Sequence, residues 1–226
     1  MVKDLVILAS GGLAQECAWL VEEINDDKRS FNLLGFLDDD MERVGREYIG
    51  YPVLGNLDAV ARYPLAHFIS GVGDPRVRKL TVEKVEQCHP MWTNLVSPTV
   101  RLHKSNKVGS GVMIGRHTDL TVGNEIGNHV MLNIHVVIGH AVRIGDYSVV
   151  SPNACVNGEA TIGRLCYIGA NAFVRNVVVH DGATIGAGSV VTKDVAENTV
   201  VVGAPARLLH EGKPSHVLTR IPDEKP

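Results

Sequence analysis

Residues 138–150 read IGHAVRIGDYSVV, and this stretch decides the fold because its aliphatic residues recur every six positions. The same spacing runs without exception from Val96 to Val174, and half of its members are followed at once by glycine. A helix repeats every 3.6 residues and a strand every two, so a period of six fits neither. Six-residue repetition is typical of a parallel β-helix, in which each repeat supplies one short strand and one turn.

The repeat also gives the dimensions of the coil. Its members are Val96, Leu102, Val108, Ile114, Leu120, Ile126, Leu132, Ile138, Ile144, Val150, Val156, Ile162, Ile168 and Val174. We expect these residues to point inward and the small residues to permit the corners. Three sides make a triangular prism, so one coil takes about 18 residues. The series loses one residue after Val174 and resumes at Val179, which predicts a bulge or an altered corner near residues 175–178.

Composition excludes several classes of protein. A net charge of −3 argues against broad, nonspecific binding to nucleic acids or membranes. No stretch approaches the ~20 apolar residues of a membrane span, so we expect none. The four cysteines (Cys17, Cys88, Cys155 and Cys166) show no CxxC pairing and read as small hydrophobic residues in a reducing compartment. We therefore expect a cytoplasmic protein.

The first part of the chain has a different pattern. Leu5–Ala9 is predicted to be a buried strand, followed by a glycine turn and a helix with apolar residues at the 3.6-residue period. Leu33–Leu37 is predicted to be a second strand, His67–Gly71 is another apolar run, and residues 76–87 look helical. This order begins a βαβ unit with a parallel sheet. We predict a Rossmann-like α/β domain over residues 1–92, a parallel β-helix over 93–212 and a polar tail over 213–226.

A stack of coils leaves an open end and flat outer faces that need caps or partners. We expect the N-terminal domain to cover one end. The flat faces carry apolar and small residues, so we expect a homotrimer about the prism axis.

The chain resembles the left-handed β-helix sugar acetyltransferases that carry an N-terminal nucleotide-sugar domain. It is similar both to bacterial UDP-4-amino-sugar N-acetyltransferases and to sialic-acid O-acetyltransferases. The motifs that carry the resemblance are residues 9–14 (ASGGLA), 35–39 (GFLDD), 71–73 (GVG) with Arg78, 132–133 (LN), 138–140 (IGH) and 202–207 (VGAPAR). The left-handed sense of the coil comes from this resemblance, because sheet crossovers are otherwise nearly all right-handed.

The resemblance implies transfer of acetyl from acetyl-CoA to the 4-amine of a UDP-linked amino-dideoxy sugar. His140 matches the general base, Asn133 an acceptor contact, and Gly158 the residue whose N–H stabilises the oxyanion. Gly158 follows His140 by one 18-residue coil, so the two should stack in neighbouring coils. Direct transfer is expected, since no cysteine or serine lies in a nucleophile motif.

The nucleotide is expected at the first glycine turn. Gly11 and Gly12 let a backbone approach a diphosphate, and the next helix offers its N-terminus. Asp38 or Asp39 ends the second strand, where a carboxylate accepts hydrogen bonds from a ribose or a base. A plain turn followed by a solvated acidic loop is the alternative. The substrate-binding residues predicted here are Ser10, Gly11, Gly12, Leu13, Asp38, Asp39 and Gly73, and Ala9 breaks the dinucleotide fingerprint, which favours a UDP-sugar over NAD.

For acetyl-CoA, the resemblance implies a site along the prism between two subunits. The positions that match its contacts are Gly158, Ala170, Ala187, Ala204, Pro205 and Arg207. Corner residues that the fold itself demands are the alternative explanation for Ala170 and Ala187.

The chain departs from the family pattern at three positions. Ala141 replaces the acidic residue that usually follows the histidine, and we hypothesise that Glu159, one coil away from Ala141, supplies the carboxylate instead. Leu13 replaces a histidine that faces the sugar nucleotide in many relatives. Val149 replaces a histidine near the acyl donor. The last two changes put the acceptor sugar in doubt more than the reaction.

Three other functions stay open at this point. A sugar O-acetyltransferase would use the same base, and a non-catalytic sugar-nucleotide sensor would fit the loss at Ala141. A metal enzyme like the γ-class carbonic anhydrases shares the coil, and His135 with His140 has its HxxxxH spacing. A third ligand would lie near Thr99, which cannot supply it, so we expect no metal.

Overall fold

The computed structural model describes residues 2–212, and within them an α/β sheet comes first and a coil of very short strands follows. The last strand of the sheet ends at Trp92 and the first strand of the coil begins at Leu95. The boundary predicted between residues 92 and 93 falls in this interval. The predicted polar tail, residues 213–226, lies outside the described residues.

The N-terminal part is a three-layer arrangement around one sheet. Its elements are β1 (Lys3–Leu8), α1 (Gly12–Asp27), β2 (Phe31–Leu37), β3 (Glu47–Tyr48), β4 (Tyr51–Gly55), a 3₁₀ helix (Leu57–Arg62), β5 (His67–Ser70), α2 (Pro75–Glu86) and β6 (Met91–Trp92). The strand order is β3-β4-β2-β1-β5-β6, and every neighbouring pair is parallel except β3 with β4. The first two predicted strands and both predicted helices are confirmed, whereas β3, β4 and the 3₁₀ helix were not predicted.

Burial explains why these segments adopt their structures. Leu5 to Leu8 are all fully buried, as in a parallel strand covered on both faces. Helix α1 buries one side, which includes Cys17 and Leu20. Helix α2 begins where the Asp74 carboxylate accepts hydrogen bonds from two backbone N–H groups of the first turn, and Pro75 occupies the first helical position.

The coil is a triangular prism with three parallel sheets, which we name by their surroundings. The docked face comprises Leu95–Val96, Met113–Ile114, Met131–Leu132, Val149–Val150, Tyr167–Ile168, Thr184–Ile185 and Thr199–Val202, followed by the antiparallel Arg207–Glu211. The apolar face comprises Asp119–Leu120, Val137–Ile138, Cys155–Val156, Phe173–Val174 and Val190–Val191. The charged face comprises Lys107–Val108, Glu125–Ile126, Arg143–Ile144, Thr161–Ile162 and Val178–Val179.

The register of the coil confirms the sequence spacing. Strands in neighbouring coils pair 18 residues apart, as Met113 does with Met131 and Val137 with Cys155. From Ile114 to Val191 the second residue of each two-residue strand, such as Ile138, is buried inside the prism, whereas Val96 and Val108 are partly buried. After Val174 the spacing falls to 17, because Thr161 pairs with Val178. The altered corner predicted at residues 175–178 is therefore confirmed.

The glycines of the repeat have a different role from the one expected. None of the glycines that follow an aliphatic repeat residue has a positive φ. The residue with a positive φ lies three positions after the aliphatic residue and is usually not glycine, as at His117, His135 and Ala141. A Cβ at Gly139 or Gly145 would instead overlap the backbone of the next coil. Glycine is needed there because the coils stack too closely for a side chain, and the turn itself does not demand it.

The N-terminal part packs on a side of the prism. Met113, Met131 and Val149 of the docked face share one buried cluster with Cys17 and other residues of α1. The Arg78 side chain, which is fully buried, donates hydrogen bonds to the Val72 and His129 carbonyl oxygens. The expectation that this domain covers one end of the coil is wrong, because the outward residues of the docked face are apolar and must themselves be buried.

Candidate active site

A cavity of about 370 Å³ opens where the carboxyl ends of β1, β2 and β5 meet the N-terminus of α1. This edge is where parallel α/β sheets bind ligands. It is lined by Ala9, Gly11, Gly12, Leu13, Asp38, Asp40, Arg43, Gly71, Val72 and Gly73. Five of the seven residues predicted to bind the sugar nucleotide therefore line one cavity. Ser10 lies beneath it, fully buried.

The two glycines of the turn are not required by packing. A Cβ at Gly11 or Gly12 would meet no atom within 4 Å, and neither residue has a positive φ. Helix α1 starts at Gly12 with no side chain capping its N-terminus. Its first N–H groups and its positive dipole end therefore face open space, which favours an anionic ligand. These observations favour the binding interpretation over a plain strand-to-helix turn.

The two aspartates at the end of β2 have separate structural partners. Asp38 Oδ2 accepts hydrogen bonds from the Ser10 N–H at 2.8 Å and from the Ser10 hydroxyl at 2.6 Å, so it holds the glycine turn against β2. Asp39 accepts from the Leu57 N–H and forms an ion pair with Lys84 at 2.8 Å. This hydrogen bond raises the pKa of Lys84. Asp39 does not line the cavity, which differs from the expected role in ligand binding.

Arg43 is the cavity residue that the sequence analysis missed. Its guanidinium lies 3.4 Å from the Ser10 hydroxyl, pairs with Asp40 at 3.1 Å and stacks over the Tyr48 ring. A guanidinium held at the mouth of an anion-binding turn suits bidentate contact with a diphosphate. Nothing in the sequence distinguishes Arg43 from other surface arginines, because its position depends on the loop between β2 and β3.

Two further cavities continue from the first along α1. The second is lined by Gly12, Gln15, Glu16, Trp19, Glu22 and Ile49. The third is lined by Glu16, Trp19, Leu20, Glu23, Met113, Gly115, Arg116, Asn133, Ile134 and Pro152. Each cavity shares residues with the next: Gly12 joins the first to the second, and Glu16 and Trp19 join the second to the third. We call this continuous feature the α1 groove.

Asn133 lies at the far end of the α1 groove, in the corner between the docked and apolar faces. Its Oδ1 accepts a hydrogen bond from the Ile134 N–H at 2.7 Å, and its carbonyl accepts one from the Thr118 hydroxyl. Within residues 2–212 no acceptor is found for its Nδ2. The amide therefore has donors to offer to a ligand in the third cavity.

His140 lies in a different corner, between the apolar and charged faces. Its imidazole is exposed and lies against Gly158 of the next coil, so closely that a Cβ at Gly158 would stand 2.6 Å from Nε2. The Glu159 N–H donates to the His140 carbonyl at 2.8 Å. The stacking of these two positions, expected from the 18-residue spacing, is confirmed. Their catalytic roles stay predictions.

The hypothesis about Glu159 gains no support from the side chains. The contact between Glu159 and His140 is made by the backbone, and within residues 2–212 the Glu159 carboxylate has no hydrogen bond or ion pair with the imidazole. Both side chains are exposed at the same corner. Among residues 2–212 of the single chain, no carboxylate pairs with the His140 imidazole.

Asn133 and His140 are not brought together within one chain. They belong to the same coil but lie on opposite sides of its Val137–Ile138 strand. The corner that contains His140 is the one opposite the docked face, so it is the prism edge farthest from the N-terminal domain. The predicted base and the predicted nucleotide site therefore lie on different sides of the single chain.

The residues predicted to bind acetyl-CoA also lie in two separate corners of the prism, as Asn133 and His140 do. Ala170 and Ala187 stack in the corner between the docked and apolar faces, where the Gly188 N–H donates to the Ala170 carbonyl. Gly158 lies in the corner between the apolar and charged faces. Ala204, Pro205 and Arg207 are exposed in and after the turn that joins the last two strands. The positions thus flank the apolar face from both sides.

The structure gives no further support to a metal enzyme. The His117 and His135 rings stack with their centroids 5.0 Å apart, but His140 lies on another corner. Residues 2–212 contain no group of three or more His, Cys, Asp or Glu side chains placed to hold a metal ion.

Burial raises the pKa of the Cys17 thiol and of the Cys166 thiol to about 12, so neither is a thiolate nucleophile at neutral pH. No helix in this part of the chain is long and apolar enough to cross a bilayer.

Known proteins match both parts of the chain. Residues 4–85 match the family described as the PglD N-terminal domain. A mutant of perosamine N-acetyltransferase from Caulobacter crescentus, solved with CoA and GDP-perosamine, is similar over 93% of this chain and 99% of its own, with 22% identity and a TM-score of 0.84. WeeI from Acinetobacter baumannii AYE is similar over 92% of this chain and 100% of its own, with 26% identity and a TM-score of 0.80.

An acetyltransferase domain and a sugar O-acetyltransferase are also similar to parts or all of the chain. The acetyltransferase domain of PglB from Neisseria gonorrhoeae FA1090, solved with acetyl coenzyme A, has 24% identity over 92% of this chain and 100% of its own, with a TM-score of 0.85. Galactoside O-acetyltransferase from Escherichia coli K12 is 42% identical over 52 residues, which span 23% of this chain and about a quarter of that protein. The predicted fold, a Rossmann-like N-terminal domain followed by a left-handed parallel β-helix, is confirmed.

Proposed function

We propose that this chain, which joins a PglD N-terminal domain to a left-handed β-helix, is an acetyl-CoA-dependent N-acetyltransferase. Its acceptor is the 4-amine of a UDP-linked amino-dideoxy sugar used in bacterial glycan biosynthesis. The observation that carries the proposal is the exposed His140 imidazole against Gly158, on a prism whose N-terminal domain has an open, anion-favouring cavity. Similar structures that hold CoA or acetyl coenzyme A support the choice of donor.

In the proposed reaction the sugar amine attacks the thioester carbonyl carbon of acetyl-CoA. His140 accepts the proton that the amine loses as the C–N bond forms. The carbonyl oxygen becomes an oxyanion, and the Gly158 N–H, for which no acceptor is found within residues 2–212, is the donor proposed to stabilise it. The C–S bond then breaks, and the CoA thiolate takes up the proton held by the imidazole.

We further infer that the active site is completed by a second subunit of a homotrimer. Val137 and Phe173 of the apolar face are 42% and 37% exposed, whereas the charged face carries the Lys107–Glu125 and Arg143–Glu125 ion pairs and suits water. Turning the apolar face toward a three-fold axis buries these side chains. Each corner beside the apolar face then adjoins the opposite corner of its neighbour, so the partner subunit's His140 comes to the end of the α1 groove at Asn133.

The base is tested by acetyl transfer to a panel of sugar nucleotides. Purified protein is incubated with acetyl-CoA and UDP- or GDP-linked 4-amino sugars, and CoA release and product mass are measured. His140→Asn is expected to lower kcat by about 10²–10⁴-fold. His180→Asn is the matched control, because His180 is also an exposed corner histidine but lies between the charged and docked faces. Equal activity of the two variants contradicts the role of His140.

The shared site is tested by mixing two impaired variants. His140→Asn lacks the base and Arg43→Ala lacks a nucleotide contact. At acceptor concentrations far below KM, the first trimer is therefore nearly inactive and the second keeps about one tenth of the wild-type rate. Random exchange of subunits makes about one quarter of the inter-subunit sites intact, and activity should recover to about that fraction. Val137→Glu is expected to give monomers, whereas Thr161→Glu, at the equivalent strand position of the charged face, should stay trimeric. No recovery on mixing, with trimers exchanging subunits, would show that the site lies within one chain.

A sugar O-acetyltransferase is the second candidate, favoured by the 52-residue match to galactoside O-acetyltransferase. A hydroxyl acceptor would use the same base and oxyanion donor. The product distinguishes the two, because an amide survives mild alkali and an acetyl ester is hydrolysed. Transfer to hydroxyl sugars with no preference for an amine would favour this candidate.

A further inference from the structure

We propose that the end of the α1 groove, between Trp19 and Asn133, is a subsite for the amino-sugar ring, with Trp19 and Glu16 as its specificity-determining residues. This inference rests on the proposed function and adds the residues that select the acceptor. It is carried by the position of the groove, the support of the Trp19 ring and the unpaired Glu16 carboxylate.

The groove leads from the proposed nucleotide site to the proposed site of acyl transfer. Gly12 lines the first two cavities, and Trp19 lines the last two. A helix rises 1.5 Å per residue, so Trp19 lies about 10 Å along α1 from Gly12. That distance suits a sugar ring whose diphosphate lies at the glycine turn. Asn133 ends the groove and belongs to the same coil as His140.

Trp19 is an exposed aromatic residue held in place by its neighbours. The Arg116 guanidinium lies over its ring, 3.7 Å from the centroid, and Arg116 forms an ion pair with Glu23 at 2.8 Å. The indole is nevertheless 47% exposed and lines two cavities. A fixed aromatic face attracts polarised C–H groups of a sugar ring, and it attracts an ammonium group more strongly.

Glu16 gives the subsite an unpaired charge, because the other two charged residues of the last cavity, Glu23 and Arg116, form an ion pair with each other. Glu16 lies one turn before Trp19 on α1, lines the same two cavities, and has no ion pair or hydrogen bond within residues 2–212. At neutral pH the amine of a free amino sugar is largely an ammonium cation, which a carboxylate attracts. The hydroxyl analogue is neutral at the same position and gains no such attraction. The pair of an aromatic face and a carboxylate therefore favours amino sugars over their hydroxyl analogues before the amine is deprotonated.

The first test measures binding and does not depend on catalysis. Trp19 and Trp92 are the two tryptophans of the chain, and Trp92 lies outside the groove. Titration with a UDP-linked 4-amino sugar should quench intrinsic fluorescence in the wild type and leave Trp19→Phe unquenched. UDP alone should quench neither. If the wild type binds with this quenching but transfers no acetyl group, the subsite stands and the proposed activity fails.

The second test uses steady-state kinetics. Trp19→Ala should raise the acceptor KM about tenfold with kcat changed less than twofold, and Trp19→Phe should recover most of the loss. Glu16→Gln should lower the preference for the amino sugar over its 4-hydroxyl analogue by about tenfold. Asp27→Asn, which removes an equal charge at the other end of α1, is the control. Quenching that persists in Trp19→Phe, an unchanged KM in Trp19→Ala, or no binding of the amino sugar overturns the subsite.

Discussion

Replacing Gly158 by alanine should disable the proposed base without unfolding the protein. A Cβ at this position would stand 2.6 Å from His140 Nε2, which is 0.8 Å short of the 3.4 Å of an ordinary contact. The nearest three atoms all belong to the imidazole, and the Gly158 φ is not positive, so the backbone accepts alanine. His140 is exposed, so the ring can rotate away into water.

The size of the effect follows from this displacement. A base moved by about 1 Å costs about 10²-fold in rate, so kcat in Gly158→Ala should fall by about two orders of magnitude. Gly158 is itself buried, but the three atoms nearest to its Cβ all belong to an exposed imidazole that can rotate into water, so the free energy of unfolding should change by less than about 0.5 kcal/mol. Acetyl transfer and thermal unfolding measured on the same preparation give both quantities.

Gly139→Ala is the matched control for this prediction. Its Cβ would overlap the Gly158 N and lie 2.8 Å from the Gly158 Cα, so backbone must move and not an exposed ring. We expect it to destabilise the fold by about 1–3 kcal/mol. If Gly158→Ala keeps the wild-type kcat, the contact between the imidazole and Gly158 does not hold the base in its catalytic position. A loss of stability equal to that in Gly139→Ala would refute the claim that only the ring is displaced.

Three further substitutions test the domain contact, its pH dependence and the nucleotide cavity. Arg78→Lys should destabilise the protein by about 3 kcal/mol in chemical unfolding, because an ammonium cannot reach both the Val72 and His129 carbonyls from a buried site. Burial and the Arg78 cation lower the pKa of His129 to about 4, so the unfolded state alone takes up a proton as the pH falls below about 6.5. Stability should therefore drop by about 2 kcal/mol between pH 8 and pH 5, and His129→Asn, which tolerates the left-handed φ of 55°, should remove that drop. Arg43→Ala should weaken UDP binding about tenfold in calorimetry at unchanged melting temperature, and unchanged affinity would remove Arg43 from the diphosphate site.

The coil was predictable because one physical requirement repeats along it. Each inward position must be aliphatic, and half of the residues that follow these positions are glycine. The spacing from Val96 to Val174 therefore gives the strands, the 18-residue register and the stacking of Gly158 on His140. The same spacing located the shortened corner at residues 175–178. The N-terminal sheet was harder to predict from the sequence, because β3 and β4 are short and carry no periodic pattern.

The candidate site was predictable only where it depends on the repeat. The contact of Asp39 with Lys84, the position of Arg43 and the α1 groove all depend on how loops and domains pack, which leaves no periodic signal in the chain. The face that receives the N-terminal domain was not predicted either. That face determines which corner is remote from the nucleotide cavity, and the proposed role of His140 therefore requires a neighbouring subunit.

The first irregularity of the repeat lies close to the proposed chemistry. A second follows near the end of the coil, where Thr184 pairs with Val200, 16 residues away. The corner of residues 175–178 belongs to the coil next to Gly158, and Thr161 pairs with Val178 only 17 residues away. The strands on either side keep their inward residues, Val174 and Val179, so the loss shortens the corner and leaves the core unchanged. A full-length corner would extend farther beside Gly158, where the proposed reaction brings the acetyl group. Because the core does not require the shorter corner, we infer that it makes room for the acyl donor beside Gly158, an inference that depends on the proposed role of that residue.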